Sequence, residues 1–325
     1  MLKKILVTAA MFAAINAYAK DITIKFSHVV AESTPKGQMA LKFKELAESR
    51  SNGSLKVEVF PNSQLFTDNK VLEAMLLGDV QIAAPSLSKF DRYTKKLQIF
   101  DLPFLFEDME AVDKFQNSQK GQELLDSLQK KGLVGLGYLH NGLKQMSMNG
   151  GEIRVPADLK GKKMRIQASD VLQEQFKAVG AIPLKKPFSE VFTLLQTKAI
   201  DGTENPWSNT YSKKFYEVQD SITETDHGLL DYMIVTSKEF MATLDDEQKK
   251  VFNEAMKEAI AYGNKLSTEL AMSDRQKVID SGKVKVLQIT PEERAQWVEV
   301  MKPVWKKFEG DIGADLIEAA YESNN

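Results

Sequence analysis

The amino-acid sequence predicts an α/β protein of two lobes, and three patterns indicate this fold. Strand and helix patterns alternate between residues 22 and 84 in the order β-α-β-α-β, which is typical of a doubly wound α/β lobe. A second set of short strands and helices runs over residues 163–198. A helical pattern from about Asp245 to Ser281 would be about 54 Å long. Because this exceeds one small lobe, we expect the helix to span both lobes.

The first set of elements begins with a half-buried strand at Ile22 to Val29, where apolar and polar residues alternate. A helical pattern follows at Pro35 to Arg50, and the next strand at Leu55 to Phe60 stops at Pro61. The later elements of this set are a helix from Thr67 or Asp68 to about Leu77, a strand at Val80 to Ala84, helices at 108–116 and 119–131, and a strand at Leu133 to His140.

The second set opens with a strand at Lys163 to Gln167 and a helix at Asp170 to Val179. Its later elements are a strand at Ala181 to Lys185, a helix at Ser189 to Lys198, strands at Gly228 to Thr236 and Val284 to Ile289, and a helical tail that starts at Pro291. We place lobe I at residues 20–142 and 231–270 and lobe II at residues 143–230 and 271–325. The chain then crosses between the lobes without a flexible linker.

The first 19 residues have the layout of a secretory signal peptide. A basic head at Lys3 and Lys4 precedes an apolar run from Ile5 to Ile15, and Ala17-Tyr18-Ala19 supplies small residues at a cleavage site. The apolar run, of about eleven residues, is too short to span a bilayer. We predict export with cleavage after Ala19, which in a Gram-negative host delivers the protein to the periplasm.

Composition and motifs exclude several classes of function. The 325 residues include no Cys, which excludes disulfides, thiol catalysis and thiolate-held metal clusters. The formal net charge of −2 offers no overall field for nucleic acid. His28, His140 and His227 form no metal-binding pair, and no P-loop, complete dinucleotide loop or Gly-x-Ser-x-Gly elbow occurs. We therefore expect no metal, no cofactor and no enzyme activity. A secreted lyase or isomerase acting on organic acids is the alternative from another class.

Isolated cationic and amide side chains near strand ends are the candidates for ligand binding. Lys36 follows the first strand, and Arg165 lies within a strand, where a charge among apolar neighbours is costly unless it is paired. Asn205 and Trp207 lie in a polar segment, residues 201–209, that we predict to be a loop. In open α/β sheets, ligands bind beyond the carboxyl ends of the strands, and an Arg side chain binds a carboxylate through two hydrogen bonds. These features favour a small organic anion as ligand. The alternatives are a structural ion pair for Arg165, a solvated helix start for Lys36 and a core position for Trp207.

The chain resembles the solute receptors of tripartite ATP-independent periplasmic (TRAP) transporters, of the C4-dicarboxylate (DctP) type. The resemblance implies a two-lobed periplasmic binding protein fold with crossing segments and a long lobe-spanning helix. It also implies a receptor that closes over an organic acid and delivers it to a membrane permease of a small and a large subunit. The blocks that carry it are Phe26 to Gly37, Asp158 to Gln167, Pro187 to Phe192, Asp201 to Asn209, Lys214 to Gln219 and His227 to Tyr232.

The resemblance further implies roles for individual residues. Arg165 would bind the ligand carboxylate, Asn205 would support it, and Phe188 would form an aromatic wall. Lys144 occupies a position where many members carry a second cationic residue. Ser86 stands where the sialic-acid-binding members have an acidic residue, which argues against sialic acid as the ligand.

We expect succinate, fumarate and malate as ligands of a monomeric receptor, with another organic acid, such as a sugar acid, as the alternative. The second carboxylate of a C4 acid needs its own partner when it is buried. We predict Lys36 as this partner, with weaker hydrogen bonds from His28 and Ser86, and Lys144 as the next candidate. A ligand bound at both ends would hold the two lobes closed.

Overall fold

The computed structural model describes residues 21–325, which form two β-sheets flanked by helices. The strands are β1 (Ile22–Ser27), β2 (Leu55–Phe60), β3 (Ile82–Ala83), β4 (Leu133–Leu143), β5 (Gln145–Met148), β6 (Lys163–Ile166), β7 (Ile182–Lys185), β8 (Gly202–Asn205), β9 (Ser221–Glu224), β10 (Leu229–Ser237) and β11 (Lys285–Gln288). The α-helices are α1 (Pro35–Arg50), α2 (Val71–Leu76), α3 (Met109–Asn117), α4 (Gln119–Asp126), α5 (Asp170–Ala178), α6 (Val191–Gln196), α7 (Trp207–Ser212), α8 (Lys238–Thr243), α9 (Asp246–Asp280), α10 (Pro291–Met301), α11 (Val304–Ile312) and α12 (Ala314–Glu322).

The first sheet has the strand order β2-β1-β3-β10-β4. Strands β1, β2 and β3 are parallel, and β10 runs antiparallel to both β3 and β4. The alternating pattern of β1 buries Ile24 and Phe26, which pack with Phe43 of α1. Helix α1 begins where the sequence predicts, because Pro35 follows Thr34, whose side chain accepts a hydrogen bond from the Gly37 N–H at 3.2 Å. Strand β10, between β3 and β4, is buried at every position.

The second sheet has the order β11-β9-β5-β8-β6-β7. Strand β5 runs antiparallel to β8 and β9, whereas β6 is parallel to β7 and β8. The prediction of a loop over residues 201–209 is wrong, since Gly202–Asn205 forms β8 and Trp207–Ser212 forms α7. Gly and Asn are disfavoured in strands, so four residues of this composition carry no strand signal. Pairing with two neighbouring strands stabilises β8 instead.

Helix α9 has 35 residues and is therefore about 52 Å long. Asp245 caps it in a capping box with Gln248. Phe252, in its first half, packs in the core of the first sheet, whereas Val278, near its end, packs in a cluster with Ile222 of the second sheet. The predicted lobe-spanning helix is confirmed.

The C-terminal helices connect both cores. Trp297 of α10 packs with Met164 in the core of the second sheet. Phe308 of α11 and Ile317 of α12 belong instead to a core cluster with Phe115 of the first lobe. We therefore propose that lobe II ends near residue 301 and that the last two helices return to lobe I. The other predicted lobe boundaries stay predictions.

Two sequence expectations concern export and membrane attachment. The predicted signal peptide, residues 1–19, lies outside the described residues. Within residues 21–325, the helices are too short or too polar to cross a bilayer.

Candidate ligand-binding site

A cleft between the two lobes lies beyond the carboxyl ends of β1, β3, β6 and β8, where ligands collect in open α/β sheets. Residues of both lobes line it, so a bound molecule would contact both. The lining side chains include Asp68, Ser86, Lys89 and Tyr232 from the first lobe and Arg165, Gln167, Phe188, Asn205 and Asn209 from the second.

Arg165, on β6, is 2% exposed. Its Nε and Nη2 both donate to the Lys186 carbonyl oxygen, at 3.0 and 2.9 Å. No carboxylate of the described residues lies within ion-pair distance, so the structural ion pair considered as an alternative is not formed there. Burial lowers the pKa of Arg165 to about 10, although the charges of Glu204 and Asp68 oppose this shift. The guanidinium is therefore a buried charge without an anionic partner, at the wall of a cleft.

Amide side chains line the same cleft as this guanidinium. Asn205, the last residue of β8, donates from Nδ2 to the Thr203 hydroxyl at 3.2 Å, and its Oδ1 accepts from Asn209 Nδ2 at 3.4 Å. The Phe188 ring lies on the same wall, with its centroid 5.8 Å from Arg165 Cζ. A guanidinium with amide donors and an aromatic wall suits a planar carboxylate.

Lys89 brings a cation from the first lobe to the cleft, and the sequence analysis missed it. Its side chain is half-buried, and burial lowers its pKa to about 8 against the opposing charge of Asp68. Lys89 follows β3 as Lys36 follows β1. Its position beyond the predicted strand at Val80 to Ala84 is the sequence signal that marks Lys89 as a candidate.

Lys36 and His28 lie behind the cleft wall. Lys36 is 1% exposed, and its Nζ donates to the Ala84 carbonyl oxygen at 2.8 Å and lies 3.4 Å from the centroid of the Tyr232 ring. Burial lowers the pKa of Lys36 to about 8. Neither ring nitrogen of His28 has a hydrogen-bond partner among residues 21–325. Burial, with the charge of Lys36, lowers the pKa of His28 to about 3, so this ring is neutral.

Lys144 lies away from the cleft, at the crossing between β4 and β5. Its Nζ is 2.8 Å from Glu204 Oε2, which also lies 2.8 Å from Nε2 of His227. Burial would raise the pKa of Glu204, but the Lys144 ammonium and the His227 hydrogen bond outweigh it and hold that pKa at about 2. Lys144 is thus already neutralised inside the protein.

Of the two remaining predicted residues, Ser86 lines the cleft and Trp207 does not. Trp207 is 6% exposed and packs with Tyr216, Ile222 and Val278. This packing agrees with the core position that was considered as an alternative for Trp207.

The cleft has the chemistry of an anion receptor. Arg165 and Lys89 supply positive charge from opposite lobes, and Asp68 is the acidic residue among the described lining residues. Within residues 21–325, no group of three or more His, Asp or Glu side chains is arranged to hold a metal ion.

Comparisons with known proteins agree with this chemistry. A profile of the bacterial extracellular solute-binding protein family 7 matches residues 26–311. The C4-dicarboxylate-binding periplasmic protein DctP of Shewanella loihica is 61% identical over 318 residues, which cover 98% of this chain and 94% of the relative. A crystal structure of a TRAP periplasmic solute-binding protein from Shewanella oneidensis, with bound succinate, is 62% identical with a TM-score of 0.92, covering 94% of this chain and 99% of that chain.

A second crystal structure, of a TRAP periplasmic solute-binding protein from Pseudomonas aeruginosa with bound L-malate, is 44% identical with a TM-score of 0.85. It covers 88% of this chain and 99% of that chain. The two-lobed fold predicted from the sequence is confirmed by these neighbours. The protein belongs to family 7 of the bacterial extracellular solute-binding proteins, as its resemblance to the TRAP solute receptors predicts.

Proposed function

We propose that the protein captures C4-dicarboxylates such as succinate, fumarate and malate in this cleft and delivers them to the small and large subunits of a TRAP permease. The observation that carries the proposal is the buried guanidinium of Arg165, which faces the cleft without a carboxylate partner among the described residues. The ligands of the Shewanella oneidensis and Pseudomonas aeruginosa relatives support it. As a member of a solute-binding family, the protein is a receptor and not an enzyme.

The binding mode follows from the positions of the charges. One carboxylate would bind the free edge of the Arg165 guanidinium, with Asn205 as a second donor. The distal carboxylate would meet Lys89, the lysine that lines the first-lobe wall. Lys36 was predicted as the direct partner of the distal carboxylate and stays a candidate for that role. Its charge would act on the carboxylate from behind the Tyr232 ring. A ligand held by Arg165 and Lys89 would favour the closed arrangement of the lobes, since it contacts both only there.

The cellular state of the protein is part of the proposal. We propose that cleavage after Ala19 releases a monomer into the periplasm. Periplasmic protein whose N-terminus is Lys20, with the mass of one chain in size-exclusion chromatography coupled to light scattering, is the expected result. A retained N-terminus or a dimer at micromolar concentration would contradict it.

A thermal-shift screen tests the ligand class. The protein is unfolded and refolded to remove any co-purified ligand, and is then heated with succinate, fumarate or malate. A ligand that binds only the folded state at about 100 times Kd stabilises it by about 2.7 kcal/mol. Glucose and neutral amino acids, as controls, should leave the melting temperature unchanged. A shift with a sugar acid and with no C4 acid would replace this proposal by the sugar-acid alternative.

A further inference from the structure

A chain of three buried polar side chains ends at the cleft wall of the first lobe. The Ser88 hydroxyl donates to Asp101 Oδ1 at 2.7 Å, and Ser86 Oγ lies 3.1 Å from Ser88 Oγ. Ser86 and Ser88 are 2% exposed, and Asp101 is 3% exposed. Because Ser86 lines the cleft, the chain connects a buried carboxyl group to the surface that a ligand would touch.

The hydroxyl protons along this chain determine whether Ser86 can donate or accept a hydrogen bond at the cleft. A hydroxyl group has one proton to donate. Since Ser88 donates its proton to Asp101, the hydrogen bond between the two serines uses the proton of Ser86. The backbone N–H of Ser88 also donates to Ser86 Oγ, at 3.4 Å. Ser86 therefore presents only a lone pair to the cleft and acts there as an acceptor.

Asp101 sets the direction of the chain. The Ser88 hydroxyl donates to Asp101 Oδ1 at 2.7 Å, an ordinary length for an O–H···O hydrogen bond. Burial raises the pKa of Asp101, and the Lys144 ammonium and the hydrogen bond from Ser88 oppose this shift only in part. The Asp101 main-chain carbonyl also accepts a hydrogen bond from Gln175 of α5, in the second lobe. The acceptor at the end of the chain is thus held in place from both lobes.

We propose that Ser86 is a specificity-determining residue that accepts a hydrogen bond from the hydroxyl group of a 2-hydroxy C4 acid, with Ser88 and Asp101 as positioning residues. The inference rests on the proposed function. An ionised carboxylate has no proton to donate, so it gains nothing from an acceptor at Ser86, which argues against the hydrogen bond to the distal carboxylate predicted for Ser86. Arg165, Lys89 and Asn205 line the cleft, and their donor groups would bind the carboxylates. The acceptor at Ser86 therefore raises the affinity for malate relative to the affinity for succinate.

Titration calorimetry of two variants with succinate and with each enantiomer of malate tests the proposal. In Ser86→Ala the hydroxyl is absent, so the tighter-binding enantiomer of malate should weaken about threefold to tenfold while succinate is unchanged. In Ser88→Ala the Ser86 proton is free to turn to a carboxylate, so succinate should bind about threefold tighter while malate is unchanged. Both variants reduce the preference for malate over succinate, Ser86→Ala by weakening malate binding and Ser88→Ala by strengthening succinate binding.

Ser147→Ala is the matched control. Ser147 is 5% exposed, donates to Gln219 Oε1 at 2.8 Å and does not line the cleft, so both affinities should stay at their wild-type values. Equal weakening of both acids by Ser86→Ala, or an unchanged ratio in both variants, overturns the proposal while the proposed function stands. If Ser88→Ala does not fold, Ser86→Ala decides alone. A wild-type protein that binds neither acid overturns the proposed function, and the role of Ser86 with it.

Discussion

Arg165 and Lys144 are both cations buried in the protein interior, with 2% and 1% exposure, yet their surroundings differ. Lys144 has an anionic partner in Glu204, only 2.8 Å away, and His227 bonds the same oxygen. Arg165 bonds a carbonyl oxygen and has no carboxylate partner among the described residues. Lys144 lies at the crossing between the lobes, whereas Arg165 lies at the cleft.

We propose that the difference separates a structural charge, at Lys144, from a ligand-binding charge, at Arg165. A buried charge is costly until an opposite charge meets it. In the Lys144 pair the protein supplies that charge itself, so the pair belongs to the folded state. At Arg165 we propose that the anion comes from the ligand, whose binding would supply the missing interaction. A buried cation therefore indicates a ligand only where an internal anionic partner is missing.

The largest expected effect comes from breaking the internal pair. Glu204→Gln leaves the Lys144 ammonium buried without an anion, and losing one partner of such a pair costs about 3–5 kcal/mol. The free energy of unfolding of ligand-free protein in urea measures the loss. Glu224→Gln is the matched control, because the pair of Glu224 with Arg275 is partly exposed and should contribute less than about 1 kcal/mol. Equal losses in both variants would contradict the structural role of the Lys144 pair.

The next effect concerns the unpaired cation. Arg165→Lys keeps the charge but loses the planar two-point geometry, so succinate should bind at least about tenfold more weakly, about 1.4 kcal/mol. Ligand-free protein should melt near the wild-type temperature. Arg154→Lys, in a partly exposed group with Glu152 and Glu293, should bind normally. An Arg165→Lys variant that binds succinate normally but melts far lower would make Arg165 a structural residue.

The pH dependence distinguishes binding from stability. Burial lowers the pKa of Lys36 and Lys89 from 10.5 to about 8. Above about pH 8, each lysine that must be charged for binding reduces succinate affinity by up to about tenfold per pH unit. Between about pH 8 and about pH 10.5 the unfolded chain binds more protons at these groups, so their contribution to ligand-free stability rises.

Calorimetry and urea unfolding at about pH 7 and about pH 9 measure the two trends, which should have opposite signs. Because Arg165 has a pKa of about 10, it stays charged over most of this range. Succinate affinity that does not change between these pH values would show that neither lysine needs its charge for binding.

The smallest effect identifies the distal cation. If Lys89 meets the second carboxylate, Lys89→Ala should weaken succinate about fivefold more than butyrate, about 1 kcal/mol. Lys36→Ala should change this preference less, because Lys36 lies behind Tyr232. Lys56→Ala, far from the cleft in an exposed pair with Asp21, is the control. The reverse order of effects would confirm the sequence prediction of Lys36 as the direct partner.

Much of the fold could be predicted from local patterns. Helix α1 and strand β2 lie where apolar periodicity, Pro35 and Pro61 predict them. The strands β5, β8 and β9 were missed, since β5 pairs with both β8 and β9 across separations of more than 50 residues. Their stability comes from those partners, so no local signal marks them.

The sequence by itself determined the two α/β lobes, the long helix that spans them and the family, because apolar periodicity, caps and motif blocks are properties of neighbouring residues. Only the tertiary structure decided which cations remain without a partner. Lys144 is neutralised by Glu204, which lies some 60 residues away in the sequence, on β8. Lys89 and Arg165 line the same cleft only after both sheets have formed. Pairing between strands that are far apart in the sequence sets the distances between these charged side chains. Local sequence patterns carry no information about those distances.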